Sequence, residues 1–87
     1  MTCPYFAVFC LSAPDRTGPQ FGFTTPKALG KAVVRNRIRR RMREAVRMER
    51  STFGTHWMVV FNPRKALLDA DFQVLRTEVA KVGARCK

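Results

Sequence analysis

The periodicity of apolar residues along the chain predicts two helices. Between about Lys31 and Glu49, apolar residues recur at spacings of four, four, three and one, which places them on one stripe of a helix. This stripe consists of Val34, Ile38, Met42, Ala45 and Val46. A second stripe, which Asp69 or Asp71 can cap, predicts a shorter helix followed by a frayed basic tail at residues 84–87. Its members are Phe72, Leu75, Val79 and Val82.

Three shorter segments have the composition of β-strands. Residues 5–11 and 56–61 are almost continuously apolar and are bounded by residues typical of turns. Residues 20–25 follow a turn and are predicted to return as the second strand of a hairpin. The segment 56–61 is predicted to be central and covered on both faces, and Gly54 to end the first helix in a left-handed conformation. Both faces of the strand at 5–11 are apolar, so either both are covered or one lines a cleft suited to unpaired bases.

The polar side of the first helix is almost entirely arginine. Between Arg35 and Arg50 there are eight arginines and only two acids. The side opposite the apolar stripe carries Asn36, Arg39, Arg40, Arg43, Arg47 and Arg50, with Arg37 and Arg41 on one flank and Arg35 on the other. A merely solvated face mixes the two signs of charge in i,i+4 pairs. Because this charge is unbalanced, and because guanidinium groups suit phosphates and stack on bases, the pattern favours the backbone of RNA as the partner.

Composition supports a polyanionic partner. The net charge is +11 and the sequence pI is about 11.1, and ten of the seventeen Lys and Arg residues lie between Lys27 and Arg50. With 46% hydrophobic residues, the chain is predicted to form a single RNA-binding domain over residues 1–87. The three cysteines lack CxxC spacing, which predicts no zinc site, no disulfide framework and a reducing compartment. We expect no signal peptide and no transmembrane segment.

No catalytic set emerges from the sequence. The six acids are scattered, and no group of them has the spacing of a two-metal nuclease site; they are Asp15, Glu44, Glu49, Asp69, Asp71 and Glu78. The one histidine, His56, lacks an obvious nucleophile or acid partner, and we interpret it as exposed or as capping a strand. The prediction is therefore that the chain contributes neither catalytic nor metal-binding residues.

One family combines these features. Gly22-Phe23-Thr24 leads into a loop with Lys27 and Gly30, followed by Lys31-Ala-Val-Val, Arg35-Asn36-Arg37 and Arg39-Arg40. With the apolar strand and capped amphipathic helix that come later, this order resembles the protein component of bacterial ribonuclease P from about Tyr5 to Val82. The resemblance implies an α/β (α+β) two-layer sandwich similar to the second domain of ribosomal protein S5, with a left-handed βαβ crossover. General folding rules alone favour a right-handed one.

The resemblance also implies a function, that of the protein subunit of ribonuclease P, whose catalytic RNA removes the 5′ leader of precursor tRNA. The implied contacts with the catalytic RNA are Arg35, Asn36, Arg37, Arg39, Arg40, Arg43 and Arg47. The implied contacts with the leader are Phe9, Lys27, Lys31, Arg64 and Lys65. Hydrolysis then belongs to the RNA and its Mg²⁺, while the protein screens phosphate charge. A cytoplasmic monomer in a 1:1 complex with the RNA is expected.

Two features depart from the family pattern. Relatives usually begin with a helix that bears phenylalanines facing the cleft, about twenty residues before the strand that here begins at Tyr5. Its absence leaves three readings open: a late start, a shortened chain or a reduced cleft. Thr25-Pro26-Lys27-Ala28 stands where many relatives have two adjacent basic residues. We therefore expect a leader site with one positive charge fewer.

Other functions share part of this pattern. A ribosomal or generic basic RNA-binding protein has the same size and charge, but it needs neither a leader cleft nor a preference for precursor over mature tRNA. A binder of membrane surfaces or acidic proteins could use a basic amphipathic helix, although its apolar stripe is needed here to cover a sheet. A protein-only nuclease requires clustered carboxylates that the sequence lacks.

Overall fold

The computed structural model describes residues 1–15 and 17–86, and over this part of the chain it contains the predicted three strands and two helices. In chain order these are β1 (Phe6–Ser12), β2 (Gln20–Phe23), α1 (Ala32–Met48), β3 (Trp57–Pro63) and α2 (Phe72–Arg85). Short 3₁₀ turns occupy the connections at Lys27–Leu29, Arg50–Thr52 and Lys65–Asp69. The predicted elements are therefore confirmed, with shifts of one or two residues at most ends.

The three strands form one sheet in the order β1-β3-β2. β3 pairs with β1 in antiparallel fashion and with β2 in parallel fashion. The central position predicted for β3 is confirmed, but the predicted β1–β2 hairpin is wrong, because β3 lies between the two strands. β2 instead enters a β2–α1–β3 crossover, which is the unit that a parallel pair requires. The left hand of this crossover stays a prediction.

Both helices pack on one face of the sheet, as the two-layer prediction requires. The helices contribute Met42, Ala45, Val46, Leu75, Val79 and Val82 to this core, and the strands contribute Phe6, Val8, Val59 and Phe61. All of these side chains are buried. Full burial of each large one contributes about 1.5–3 kcal/mol relative to exposure, so the apolar stripes of the helices hold them on the sheet.

The opposite face of the sheet is open. Phe9 and Leu11 alternate with the buried residues of β1, and their side chains are 60% and 57% exposed. Val60 of β3, which pairs with Phe9, is only partly buried. The prediction that β3 is covered on both faces is wrong, because both helices lie on the same side. Of the two alternatives for β1, an open apolar face is the one observed.

The ends of the helices differ in part from prediction. Asp71 caps α2 by accepting a hydrogen bond of 2.8 Å from the backbone N–H of Gln73, which confirms one of the two predicted caps. The left-handed conformation predicted at Gly54 is wrong, since Gly30 is the residue with positive φ in the described part of the chain. The Arg50–Thr52 turn instead follows α1 closely, and the Glu49 N–H still bonds to Ala45 O.

The C-terminal segment differs from the predicted tail, because residues 84 and 85 are helical and Cys86 is buried; Lys87 lies outside the described residues. α2 continues to Arg85, and Cys86 is buried, with its carbonyl accepting a hydrogen bond of 2.6 Å from the Gly54 N–H. Burial and the neighbouring Cys10 thiol raise the pKa of Cys86 to about 12. Neither thiol forms a disulfide bond, and the contact between the two thiols joins the end of α2 to β1.

α2 passes very close to the turn that follows α1. Gly83 is buried in α2, and a Cβ atom at this position would overlap the side chain of Thr52 and lie 3.3 Å from a ring carbon of Phe53. The hydroxyl of Thr52 is itself held by a hydrogen bond of 2.7 Å to Glu49 O. The absence of a side chain at Gly83 therefore allows the helix to approach the turn.

Candidate nucleic-acid interface

The solvent-facing side of α1 carries a row of arginines. The exposed residues of this row are Asn36, Arg37, Arg40, Arg43 and Arg47, and Arg50 continues it into the following turn. The buried Ile38 and Met42 fix the helix with this side outward. Five guanidinium groups therefore face solvent along one surface, which we call the arginine row.

One acid lies within the arginine row. Glu44 accepts a hydrogen bond of 2.5 Å from Arg47 Nη2. This bond lowers the pKa of Glu44 and raises that of Arg47. Because Arg47 is exposed and Glu44 is only partly buried, the pair adds little to stability, and Arg47 stays available to a phosphate.

The predicted RNA contacts Arg35 and Arg39 differ from the rest of their set. Both are partly buried where α1 passes the end of β2. Arg39 donates a hydrogen bond of 2.9 Å to the hydroxyl of Thr25, which orients α1 relative to the exit of β2. Arg35 Nε is buried and has no hydrogen-bond partner among the described residues. These two side chains therefore lie at the edge of the arginine row rather than on it.

Two contacts of the arginines were not predicted from the sequence. Arg41 donates a hydrogen bond to Ala70 O, and its guanidinium lies 5.6 Å from the ring centroid of Phe72, so it joins α1 to the start of α2. Arg43 lies 5.9 Å from the ring centroid of Phe23. For Arg41, the sequence did carry a signal of such a contact, because the helical pattern places this residue on the flank of α1 rather than on its fully polar side.

The predicted leader residues occupy the open face and one end of the sheet. Because β2 and β3 are parallel, both strands end at the same edge. Lys27 and Lys31 follow β2, Arg64 and Lys65 follow β3, and all four side chains are exposed. Phe9 lies farther along, in the middle of β1 on the open face. The four cations are thus brought to one edge, and Phe9 projects from the face that adjoins it.

Small and polar residues complete this end of the open face. Gly22 pairs with Val60, and a Cβ at Gly22 would lie 3.6 Å from a methyl group of Val60, an ordinary contact. No close approach therefore requires glycine at position 22. Because Gly22 has no side chain, nothing projects from β2 beside Val60 on the open face. Beyond it, the hydroxyl of Thr24 donates a hydrogen bond to the side-chain oxygen of Asn62. Arg64 is held beside the start of β1 by a hydrogen bond of 3.2 Å to Cys3 O.

Other functional groups are sparse. In residues 1–15 and 17–86, no three carboxylate, imidazole or thiol groups come together in a way that could hold a metal ion. His56 is exposed immediately before β3, as interpreted from the sequence. None of the helices in this part of the chain has the length and apolarity needed to span a membrane.

Comparison with known proteins identifies relatives. Residues 1–87 match the family model described as Ribonuclease P. The ribonuclease P protein component of Symbiobacterium thermophilum is 42% identical over 78 residues, which cover 90% of this chain and 68% of that protein. The ribonuclease P protein component of a Roseiflexus species is 47% identical over 76 residues, which cover 85% and 62%. The chain therefore spans about two thirds of the length of these relatives.

Solved structures support the fold. The ribonuclease P protein of Thermotoga maritima superposes with a TM-score of 0.85 at 23% identity, covering all of this chain and 82% of the other. The ribonuclease P protein of Staphylococcus aureus superposes with a TM-score of 0.78 at 22% identity, covering 97% and 79%. The two-layer arrangement of three strands and two helices is thus shared with both proteins.

Proposed function

The chain belongs to the ribonuclease P protein family, and on that premise we propose that it is the protein subunit of ribonuclease P. In this role it binds the catalytic RNA and the 5′ leader of precursor tRNA, and it supports endonucleolytic removal of the leader. The observation that carries the proposal is the arginine row, five exposed guanidinium groups on a helix whose other side is fixed in the core.

The arginine row is suited to docking on the catalytic RNA. Guanidinium groups bind phosphates in a bidentate manner, and structured RNA offers closely spaced phosphates with a shape that a rigid helix can follow. The contact set is Arg35, Asn36, Arg37, Arg39, Arg40, Arg43 and Arg47. In this set, Arg35 and Arg39 act at the edge, where Arg39 also keeps the helix oriented through Thr25.

The open face of the sheet is suited to the leader, which is single-stranded. Phe9 offers an exposed ring on which a base can stack, and Lys27, Lys31, Arg64 and Lys65 offer charge to the backbone at the adjoining edge. Stacking combined with backbone charge binds single strands with little dependence on sequence. A subunit that must accept many precursor tRNAs needs this tolerance.

The chemistry is assigned to the RNA. Magnesium ions favour oxygen ligands and bind through phosphates, and we place them in the RNA components rather than on this chain. By reducing repulsion between the phosphates of enzyme RNA and substrate, the protein lowers the Mg²⁺ concentration that cleavage needs. We place the complex in the cytoplasm, with one protein, acting as one domain over residues 1–87, for each RNA.

The experiment that tests the proposal is cleavage of a precursor tRNA by a bacterial ribonuclease P RNA at low Mg²⁺, with and without this chain. We expect cleavage at the mature 5′ end only when both are present, because the added charge lets the two RNAs approach. The chain alone is the control and should leave the substrate intact. RNA binding without any gain in cleavage would contradict the proposal and favour a generic basic RNA-binding protein.

Phe9→Ala is expected to weaken binding of leader-bearing substrate. Loss of one base–aromatic stack costs about 1–3 kcal/mol, so the dissociation constant of the assembled enzyme for precursor tRNA should rise about 5- to 150-fold. The affinity for mature tRNA should not change. Leu11→Ala is the matched control, since Leu11 is equally exposed on the same face but has no ring. Equal effects of the two substitutions would remove Phe9 from the leader site.

A further inference from the structure

A second aromatic site lies on the other side of the sheet from Phe9. Along β2, a side chain at position 22 would point to the open side of the sheet. The side chains of Phe21 and Phe23, its neighbours in the strand, point to the opposite side and face α1. β2 is an edge strand, and a cavity of about 240 Å³ lies between it and α1. Its lining consists of Phe21, Phe23, Val46, Arg43, Arg47 and Arg50. We call this cavity the β2–α1 pocket.

The floor of the β2–α1 pocket is aromatic and held in place by the core. Phe23 is stacked on Phe61 with ring centroids 5.9 Å apart and an interplanar angle of 17°. Phe21 meets Phe53 edge to face, with centroids 5.0 Å apart. Phe21 and Phe23 are nevertheless only partly buried, unlike Phe61. Rigid rings with one accessible side are therefore presented to the cavity.

The rim of the pocket is cationic. Arg43, Arg47 and Arg50 are exposed, and Arg43 lies 5.9 Å from the centroid of Phe23. Among the lining residues no carboxylate is present, whereas the groove on the other flank of α1 includes Glu44. Arg47 is paired with Glu44, which lies outside this lining, whereas no ion pair is formed by Arg43 or Arg50 in the described part of the chain. The β2–α1 pocket therefore combines an apolar aromatic floor with a rim of net positive charge.

A nucleotide matches this combination. Its base is flat and stacks on aromatic rings or guanidinium planes, and its phosphate is anionic. The volume is below the roughly 300–1,000 Å³ of pockets for drug-sized ligands, which suits one base better than a larger group. A neighbouring groove shares Arg47 and Arg50 and extends past Pro19, so the flanking backbone has a cationic path away from the pocket.

We propose that the β2–α1 pocket binds a single unstacked nucleotide of the partner RNA, with its base on Phe21 and Phe23 and its phosphate on Arg47 and Arg50. The inference rests on the proposed function, since it places a base contact beside the RNA-docking row. Contacts with phosphates fix register and orientation but carry no sequence information directly. A base inserted in this pocket adds a contact that phosphates cannot provide, because it requires an unstacked nucleotide at one position of the RNA.

The probe is adenosine 5′-monophosphate, and ribose 5-phosphate is the matched control without a base. Each is titrated into the full chain labelled at phenylalanine, and the ring signals are followed by NMR at constant ionic strength. We expect the nucleotide to shift the signals of Phe21 and Phe23 more than that of Phe9, and ribose 5-phosphate to shift neither. Equal shifts with the two ligands, or a larger shift at Phe9, would overturn the inference.

Variants sharpen the test. Phe23→Leu retains apolar packing but removes the ring, and it should weaken nucleotide binding at least 5-fold; Phe21→Leu provides the same test should Phe23→Leu disturb the fold. Arg47→Ala should weaken binding, whereas Arg40→Ala, an equal loss of charge outside the pocket, should not. Tighter binding of an aspartyl-phenylalanine dipeptide than of the nucleotide would overturn the inference in favour of a protein partner.

The cleavage assay separates this inference from the proposed function. A chain that supports cleavage but shows no base-dependent binding in the pocket overturns the inference alone. A chain that binds the nucleotide in the pocket but never supports cleavage overturns the proposed function and leaves a nucleotide site. If both hold, Phe23→Leu should reduce affinity for the catalytic RNA while the preference for leader-bearing over mature tRNA stays unchanged.

Discussion

Raising monovalent salt from 50 to 200 mM is expected to weaken binding of this chain to a bacterial ribonuclease P RNA roughly 100- to 500-fold. Each neutralised phosphate contributes about −0.7 to −0.9 to the slope of log affinity against log salt. The five exposed arginines of the arginine row then give a slope of roughly −3.5 to −4.5. The measurement is the dissociation constant from filter binding at four or more salt concentrations.

Variants connect this slope to particular side chains. Arg37→Ala should make the slope less steep by about 0.7–0.9, because one phosphate contact is lost. Arg85→Ala is the control, because it removes the same charge from an exposed position on α2 rather than from the arginine row of α1. If the two variants changed the slope equally, binding would depend on net charge rather than on the arginine row, and the docking surface would be wrong.

Gly83→Ala is expected to lower the free energy of unfolding by about 1–3 kcal/mol through overpacking. The new Cβ would overlap the Thr52 side chain, and the 3.3 Å approach to Phe53 leaves little room for relaxation. For a domain of this size, each kcal/mol shifts the melting temperature by about 4–8 °C. Thermal unfolding followed by circular dichroism measures the loss.

The sign of the change in unfolding free energy separates packing from helix propensity, because alanine has the higher helix propensity of the two residues. On an exposed helix Gly→Ala stabilises by about 0.5–1 kcal/mol, so a loss at Gly83 must come from packing. Thr52→Ala should recover part of the loss in the double variant, because it removes the hydroxyl oxygen that the Cβ would overlap. Gly18→Ala is the control, since no described atom lies within 4 Å of a Cβ there. An unchanged or higher melting temperature for Gly83→Ala would show that the helix can move away from the turn.

Elements with strong local patterns could be predicted from the sequence. The stripe in α1 from Ile38 to Val46 is buried as its spacing required, and the same spacing placed most of the arginines outward. Asp71 capped α2 because its side chain needs only the backbone of Gln73, two residues away. In each case the deciding interactions lie within one or two helical turns.

Features that depend on distant partners could not be predicted in this way. The apolar character of β3 suggested two covered faces, but apolarity does not reveal that Phe9 and Leu11 lie on an open face. The hairpin prediction used the turn between β1 and β2, whereas the pairing is decided by a strand more than thirty residues later. Cys86 near the end of the chain gave no local signal of burial.

The candidate site shows the same division. Helical geometry predicted which arginines lie on the solvent-facing side of α1. The assignment of Lys27 and Lys31 to a leader site came from the resemblance and stays a prediction. The β2–α1 pocket was missed, because Phe21 and Phe23 form it only when an edge strand is placed beside the arginine helix. Alternating phenylalanines around Gly22 were the available signal, and they indicated a strand but not which face would meet the arginines.

The order of the strands has a consequence for how the chain folds. β3 is the last of the three strands in sequence and the middle one in space. The sheet therefore cannot form until β3 is available, since β1 pairs with β3 from Phe6 opposite Pro63 onward. Long-range pairings of this kind slow folding, because the closure of a large loop precedes any gain from contacts. Until β3 leaves the ribosome, α1 has no sheet on which to bury its apolar stripe. During synthesis the arginines are therefore present before the structure that directs them, at a time when RNA is the most abundant polyanion nearby.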